Sequence, residues 1–305
     1  MLFNPERFLQ QQAEKKENNQ NFNNKHYLDE LLEMAQKANE IDRIEHDDFI
    51  DLYGQEAVKT DTDWVEQQKD LHQQKNSPSE IWHKKVADIL EAILHHQIEA
   101  NNYFGGNVWT IKTCDYDDFR NHIDSILEIR HPDQKSANYS GIALDVTSAS
   151  QPSRLMNKVN RILSKIKQGK LAKIKYFQSD FLNIRGEKSN VPLFVIGCDL
   201  KHTEELAKLW YNDQQKTLAQ HPIQVLLLKQ ITQQAQLYRD YAQQNNQPAI
   251  AEIYKQILDE FKTITTEREA IITEIEKNPK NRDFFHDDYV STNLQAIIQQ
   301  YDQSN

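Results

Sequence analysis

Glycine and proline are scarce along this chain of 305 residues, which contains 7 glycines and 8 prolines. An all-β fold needs many tight turns, and turns rely heavily on these two residue types. The scarcity therefore predicts that helices make up most of the fold. Hydrophobic residues at 38% and charged residues at 27% suit a globular protein with one large domain or two modest ones.

The sequence lacks the features of membrane and secreted proteins. No apolar run approaches the roughly 20 residues that a helix needs to cross a bilayer. The N-terminal segment meets Glu6 and the charged run 14–17 before any secretory hydrophobic region can form. The cysteines Cys114 and Cys198 form no CxxC pair and lie in apolar runs, which is typical of buried free thiols. We therefore expect a cytoplasmic protein with no membrane partner.

The spacing of apolar residues divides the chain into three regions. Residues 1–78 are predicted to form a polar helical N-terminal region, residues 79–212 an α/β core, and residues 213–305 a C-terminal helical hairpin or coiled-coil-like region. Segments 18–24 and 70–78 have the composition of linkers.

The C-terminal region contains two long helical patterns, 223–244 and 249–277. The second repeats isoleucine or phenylalanine at spacings of three, four and seven residues. This pattern favours an antiparallel pair with coiled-coil-like contacts. It also offers a surface through which the protein could form a homo-oligomer.

The core region alternates between helical and strand-like segments. A capping signal at 77–80 starts a helix that continues to residue 98. Further helices are predicted over 154–168 and 203–218. Strands are predicted over 107–114, 122–129, 140–147, 171–177 and 192–198. This order predicts an α/β fold, an α+β arrangement with a mixed sheet, to which the N-terminal and C-terminal helices are added.

Two carboxylates interrupt the second and third strand candidates. Asp124 lies in the second, and Asp145 lies in the third among isoleucine, leucine and valine. A carboxylate in an apolar strand is costly unless it is ion-paired, hydrogen-bonded or bound to a metal. Carboxylates on neighbouring strands repel each other, and a divalent cation relieves that repulsion. The alternative is that each aspartate lies at a strand end, where water or a turn satisfies it.

Basic residues are concentrated between Val146 and Ser179, where the sequence has no Asp or Glu. Four of them fall on one stripe of the predicted helix, beside an apolar stripe: Arg154, Lys158, Arg161 and Lys165. In a chain of net charge -10 this clustering indicates an anionic ligand, most simply a phosphodiester backbone. The alternative is a solvated helix face that acidic segments elsewhere neutralise.

Other sequence motifs give little indication of a catalytic or metal-binding site. The sequence has no HExxH, no spaced Cys/His set, and none of GxGxxG, GxxxxGK[ST] or GxSxG. His122 precedes Asp124 by two residues, at the edge of the predicted site, although histidines at such positions are often only packed or solvated.

The arrangement resembles the PD-(D/E)XK (restriction-endonuclease-like) nuclease superfamily over residues 79–200. A helix is followed by strands with Asp124 and Asp145-Val146-Thr147, then by a basic amphipathic helix and a lysine-bearing strand. The resemblance implies that Asp124 and Asp145 bind one or two magnesium or manganese ions, with Glu91 of the first core helix as a third ligand. The ions would activate the water that attacks the phosphodiester, and a lysine would orient that water and stabilise charge.

Thr147 occupies the lysine position of the motif. The resemblance implies that a lysine from the following helix or strand replaces it, with Lys158, Lys165, Lys173 and Lys175 as candidates. Lys173 and Lys175 are the expected catalytic residues, because they share one face of a strand that should neighbour Asp145. We therefore expect a magnesium-dependent endo- or exonuclease that acts on nucleic acid, with DNA favoured over RNA. The alternatives are an inactive nuclease-derived protein that only binds nucleic acid, and a helical interaction scaffold around a structural core.

Overall fold

The computed structural model describes residues 20–41, 43–130, 140–148, 151–179 and 182–303. Helices dominate these residues, as the scarcity of glycine and proline predicted. One connected cluster of buried apolar side chains runs from Phe22 to Ile297 through all three predicted regions. Within the described part of the chain, no helix has both the length and the apolar character needed to cross a membrane.

The N-terminal region is helical and packs on the core. Its elements are α1 (Lys25–Ile41), a 3₁₀ turn (His46–Phe49), α2 (Ile50–Tyr53) and α3 (Gln55–Lys75). Helix α3 continues to Lys75, so the prediction of a linker over residues 70–78 was wrong for residues 70–75. Residues 18 and 19 of the other predicted linker lie outside the described residues, and Phe22 within it is buried. The N-terminal region therefore contributes to the common core.

The core contains a four-stranded mixed sheet. Its elements are α4 (Pro78–Ala100), β1 (Val108–Lys112), α5 (Asp115–Asn121), β2 (Ser125–Ile129), β3 (Ser140–Thr147), α6 (Pro152–Lys167), β4 (Ala172–Ile174), β5 (Lys188–Val191) and β6 (Leu193–Gly197). The strand order is β1-β2-β3-β6. Strand β2 is antiparallel to both β1 and β3, and β6 is parallel to β3. Strands β4 and β5 form a separate antiparallel pair.

Several core elements differ from the sequence prediction, which also missed strand β5 (Lys188–Val191). Residues 115–121 form the short helix α5, whose first turn contains Asp115, Asp117 and Asp118. Acidic side chains stabilise the N-terminal turn of a helix, which explains why this polar segment is helical. The second predicted strand begins at Ser125 rather than at residue 122, so Asp124 lies directly before the strand.

The C-terminal region is entirely helical among the described residues. The core ends with α7 (Leu200–Tyr211), and the helices of the C-terminal region are α8 (Gln215–Ala219), α9 (Ile223–Gln244), α10 (Pro248–Glu267), α11 (Glu269–Lys277), a 3₁₀ turn (Pro279–Asn281), α12 (Arg282–Asp287) and α13 (Tyr289–Gln303). Helices α9 and α10 pack against each other, while the second predicted helix is interrupted at Arg268. Ile257, Phe261 and Ile264 of the apolar stripe on α10 are buried within the chain. Self-association through these helices stays a prediction.

Candidate functional site

A pocket of about 200 Å³ lies where α4, α5, β3, α6 and the segment before β2 meet. We call it the acidic pocket. Its lining residues are Lys84, Ala87, Asp88, Glu91, Asp118, His122, Asp124, Asp145, Val146, Lys158 and Arg161. The three predicted metal ligands, Glu91, Asp124 and Asp145, therefore line one pocket although they come from three different segments of the chain.

Asp124 is tied to the central strand β3. Its backbone N–H donates to the Leu144 carbonyl at 2.8 Å, and its Oδ2 accepts a hydrogen bond from the Val146 N–H at 2.5 Å. Burial raises the pKa of the Asp124 carboxyl to about 8, and the negative charges of Asp118 and Asp145 contribute to that rise. This electrostatic environment favours a proton or a cation next to Asp124.

Asp145 is neutralised by the basic helix α6. Lys158 Nζ lies 2.5 Å from Oδ1, and Arg161 Nη2 lies 2.7 Å from Oδ2. Lys158 also donates to the carbonyl of Val146 at 3.3 Å. The Asp145 side chain is only 6% exposed, so the two cations offset a large desolvation cost. Two residues that were predicted to bind phosphate therefore contact a predicted metal ligand.

Glu91 is paired with Lys112 of β1, a residue that the sequence argument overlooked. Lys112 is 3% exposed, and its ammonium group also donates to the backbone carbonyl of Asp124 at 3.0 Å. Burial lowers the pKa of Lys112. A buried lysine in the apolar run VWTIK is as costly as the buried Asp145, so the sequence already marks Lys112 as a residue that needs a partner.

The expected placement of Lys173 and Lys175 beside Asp145 is wrong. The strand next to β3 is β6, while Lys173 lies in β4 and Lys175 directly follows it, and β4 pairs with β5. Lys173 Nζ lies 2.6 Å from Glu187 Oε2 on the surface. Lys175 is ion-paired with Asp61. Lys158 is the candidate replacement for the motif lysine that lines the acidic pocket.

The two ends of the basic stripe lie outside the acidic pocket. Arg154 is about half exposed, and its Nη2 is 4.0 Å from Oε1 of Glu80. Lys165 is half-buried, and its pKa is lowered by burial and by the positive charge of Arg161. Phosphate binding by these residues stays a prediction. His122 does line the pocket, and burial and Arg161 lower its pKa.

A separate cluster, Asp199, His202 and Asp288, could hold a metal ion. His202 Nδ1 lies 3.1 Å from Asp199 Oδ1 and 3.1 Å from Asp288 Oδ2. Burial alone would lower the pKa of His202, but the hydrogen bonds to the two aspartates raise it to about 9. The carboxylates also accept backbone N–H groups, including those of Tyr289 and Ser291. Since Asp288 is far from the others in sequence, no local motif could reveal this cluster.

Comparisons with known proteins found nothing similar: no protein-family model, no curated protein and no solved structure matches the chain. In the acidic pocket, charged residues from α4, α5, β3 and α6 meet in one cavity.

Proposed function

We propose that the protein is a metal-dependent nuclease-like protein that acts on nucleic-acid phosphodiesters through the acidic pocket. The observation that carries the proposal is the meeting of Glu91, Asp124 and Asp145 in one cavity with Lys158 and Arg161 beside them. Carboxylates suit a hard divalent cation, and the adjacent cations suit the phosphate of a substrate.

A restriction-endonuclease-like core is part of this proposal. The chain runs from α4 through β1, β2 and β3 to α6 and then to β6, which is parallel to β3. This helix–strands–helix–strand order supports the resemblance seen in the sequence. The lysine-bearing strand of that resemblance is the exception, since β4 lies outside the four-stranded sheet.

Glu91, Asp124 and Asp145 supply the oxygen ligands that magnesium and manganese prefer, although among the described residues these three carboxylates do not form a group as compact as the Asp199–His202–Asp288 cluster. Oδ2 of Asp124 accepts the Val146 N–H, whereas Oδ1 has no partner among the described residues. Burial is the largest cause of the raised pKa of Asp124, and the charges of Asp118 and Asp145 add to it, so this carboxyl favours a proton or a cation. When bound by Asp124, Asp145 and Glu91, the ion would supply the Lewis acid that polarises the phosphate and activates water.

Lys158 and Arg161 have two roles in this proposal. Without a cation they neutralise Asp145, as the distances of 2.5 and 2.7 Å show. With a cation beside Asp145, their charge becomes available to the phosphate of a substrate. Lys158 then takes the charge-stabilising role of the lysine that Thr147 replaces, because its Nζ already lies at Asp145.

A second candidate function is nucleic-acid binding without cleavage. It is favoured by Thr147 at the motif lysine position and by the ion pairs that occupy both oxygens of Asp145. If Lys158 and Arg161 always neutralise the Asp145 carboxylate, binding a metal ion there adds little stabilisation. Cleavage that requires a metal ion indicates the nuclease function, and binding without cleavage indicates the second function.

The test is incubation of the protein with supercoiled plasmid and with single-stranded DNA in magnesium, manganese or EDTA. We expect cleavage with either metal and none in EDTA. Asp124→Asn should reduce the rate by at least about 100-fold, while the matched surface change Asp259→Asn on α10 should have no effect. Asp259 pairs only with the neighbouring Lys262 at 3.3 Å. Cleavage that persists in Asp124→Asn would rule out the proposed site.

A further inference from the structure

A larger cavity of about 900 Å³ adjoins the acidic pocket, and we call it the amide cavity. The two cavities share Lys84, Asp88, Glu91 and Asp118 as lining residues. A ligand that extends out of the acidic pocket past these side chains therefore enters the amide cavity. Its outer wall is provided by α1 and α3, the helices of the N-terminal region.

Amide side chains are the distinctive feature of this outer wall. Gln36 and Asn39 of α1 and Gln73 of α3 line the cavity. Asn39 is only 7% exposed, and its Oδ1 is buried without a hydrogen-bond partner among the described residues. A buried acceptor that lacks a donor is costly, and a ligand with an N–H group would satisfy it.

The charges around the cavity neutralise one another. Arg43 and Lys69 both contact Asp115, at 2.7 and 2.9 Å. Lys84 contacts Asp88 at 3.3 Å. The cavity therefore does not offer the unpaired positive charge that would favour a phosphate, and it suits a neutral ligand group that forms hydrogen bonds.

The cavity also offers an aromatic surface. Phe119 of α5 lines it, is only partly buried, and lies edge-on to His72 of α3 with ring centroids 5.7 Å apart. A flat ligand group can stack on such a ring while its edge bonds to amides. A nucleobase combines these two properties, since it has apolar faces and an edge of donors and acceptors.

We propose that the amide cavity binds an unpaired nucleobase, so that the acidic pocket acts on single-stranded nucleic acid or on the frayed end of a duplex. A base that is paired inside a duplex has neither a free Watson–Crick edge nor a free face to enter a cavity between α1, α3 and α5. The inference rests on the proposed function, because it places a phosphate of the same strand in the acidic pocket.

The test measures binding in EDTA, where the proposed cleavage cannot occur. A short fluorescent single strand is compared with a blunt duplex of the same sequence by anisotropy. We expect the single strand to bind more tightly. Asn39→Leu replaces the amide with an apolar group of the same branching and should weaken single-strand binding about tenfold. Its melting temperature should stay equal or rise, because the variant no longer buries an unpaired acceptor.

Asn23→Leu is the matched control, because Asn23 is exposed just before α1. It should leave binding unchanged. Equal binding of duplex and single strand, or unchanged binding by Asn39→Leu, would overturn the inference. A free nucleoside monophosphate serves as competitor. If it displaces the strand completely at the same concentration as the strand, the ligand is a free nucleotide and the inference is overturned.

The same experiment distinguishes failure of this inference from failure of the proposed function. Single-strand binding that depends on Asn39, without cleavage in any metal, supports the base site and removes the nuclease function. Metal-dependent cleavage that is equal for duplex and single strand, and unaffected by Asn39→Leu, supports the nuclease function and removes the base site.

Discussion

The Val146 N–H donates to Oδ2 of Asp124 at 2.5 Å, so a backbone amide of β3 holds the carboxylate that precedes β2. Val146 directly follows Asp145 in the sequence. The hydrogen bond therefore fixes the Asp124 carboxylate against the stretch of β3 backbone that carries Asp145. This arrangement links the pKa of Asp124 to the charge of Asp145, which is among the causes that raise it.

The stability of the metal-free protein should decrease as the pH rises through about 8. The folded protein raises the pKa of Asp124 from its ordinary value of 3.8 to about 8. Between these values the folded state binds the proton more tightly than the unfolded state, so the contribution is complete at low pH and is lost above about 8. Thermal unfolding in EDTA at several pH values measures the effect.

Magnesium or manganese should raise the melting temperature most strongly above pH 8, because the cation then does not compete with the proton on Asp124. Asp124→Asn removes the titrating group and should abolish both the pH dependence and this metal effect. A metal effect of the same size in Asp124→Asn would place the ion elsewhere.

Local patterns predicted several elements correctly. Ser140–Thr147 is a strand over the predicted residues, because alternating and β-branched residues favour an extended chain over eight positions. The helix that begins after Ser77 was predicted from its capping box, in which Ser77 and Glu80 satisfy each other's backbone groups.

Pairing between distant segments could not be predicted in the same way. The β4 segment of Lys173 and Lys175 looked like a neighbour of β3, but its partner is β5 and β6 occupies that position. Strand order depends on contacts across the whole sheet, which residue periodicity does not encode. The amide cavity was missed for a similar reason, since Asn39 and Phe119 belong to segments far apart in the chain.

Lys158→Ala should reduce metal-dependent cleavage by about 100-fold while the protein stays folded. The reason is that Lys158 is the lysine whose Nζ lies 2.5 Å from Asp145. Lys173→Ala is the matched control, because Lys173 pairs with Glu187 away from the pocket. Single-turnover cleavage rates measure the difference. If the two variants lose the same activity, Lys158 has no special role.

The Asp199–His202–Asp288 cluster should depend on a proton rather than on a metal. The folded protein raises the pKa of His202 from 6.5 to about 9. Its contribution to stability is therefore complete below 6.5 and is lost as the pH rises through about 9. We expect EDTA to leave the melting temperature at pH 7 unchanged, because backbone N–H groups already occupy the carboxylates.

His202→Gln should lower the free energy of unfolding by about 3 kcal/mol at neutral pH, since it leaves the buried Asp288 without its cation. It should also remove the part of the pH dependence that is centred near 9. A decrease of the wild-type melting temperature in EDTA, reversed by added zinc, would show instead that the cluster holds a metal ion.

Two glutamines of α9 provide hydrogen bonds along β6. The Gln234 amide accepts from the Val195 N–H at 3.0 Å and donates to the Val195 carbonyl at 2.7 Å. Gln230 contacts the N–H and carbonyl of Gly197 in the same way, at 3.0 and 2.8 Å. The two side chains thus satisfy backbone groups of β6, a strand at the edge of the four-stranded sheet.

Gln234→Leu should therefore lower the free energy of unfolding by about 2 kcal/mol, because it leaves a buried donor and a buried acceptor of Val195 unpaired. Gln233→Leu, one position earlier on the same helix, is the matched control, since Gln233 is only partly buried and has no such contact. Chemical denaturation of both variants measures the difference. If the two variants are equally stable, the hydrogen bonds from Gln234 to Val195 do not contribute to stability.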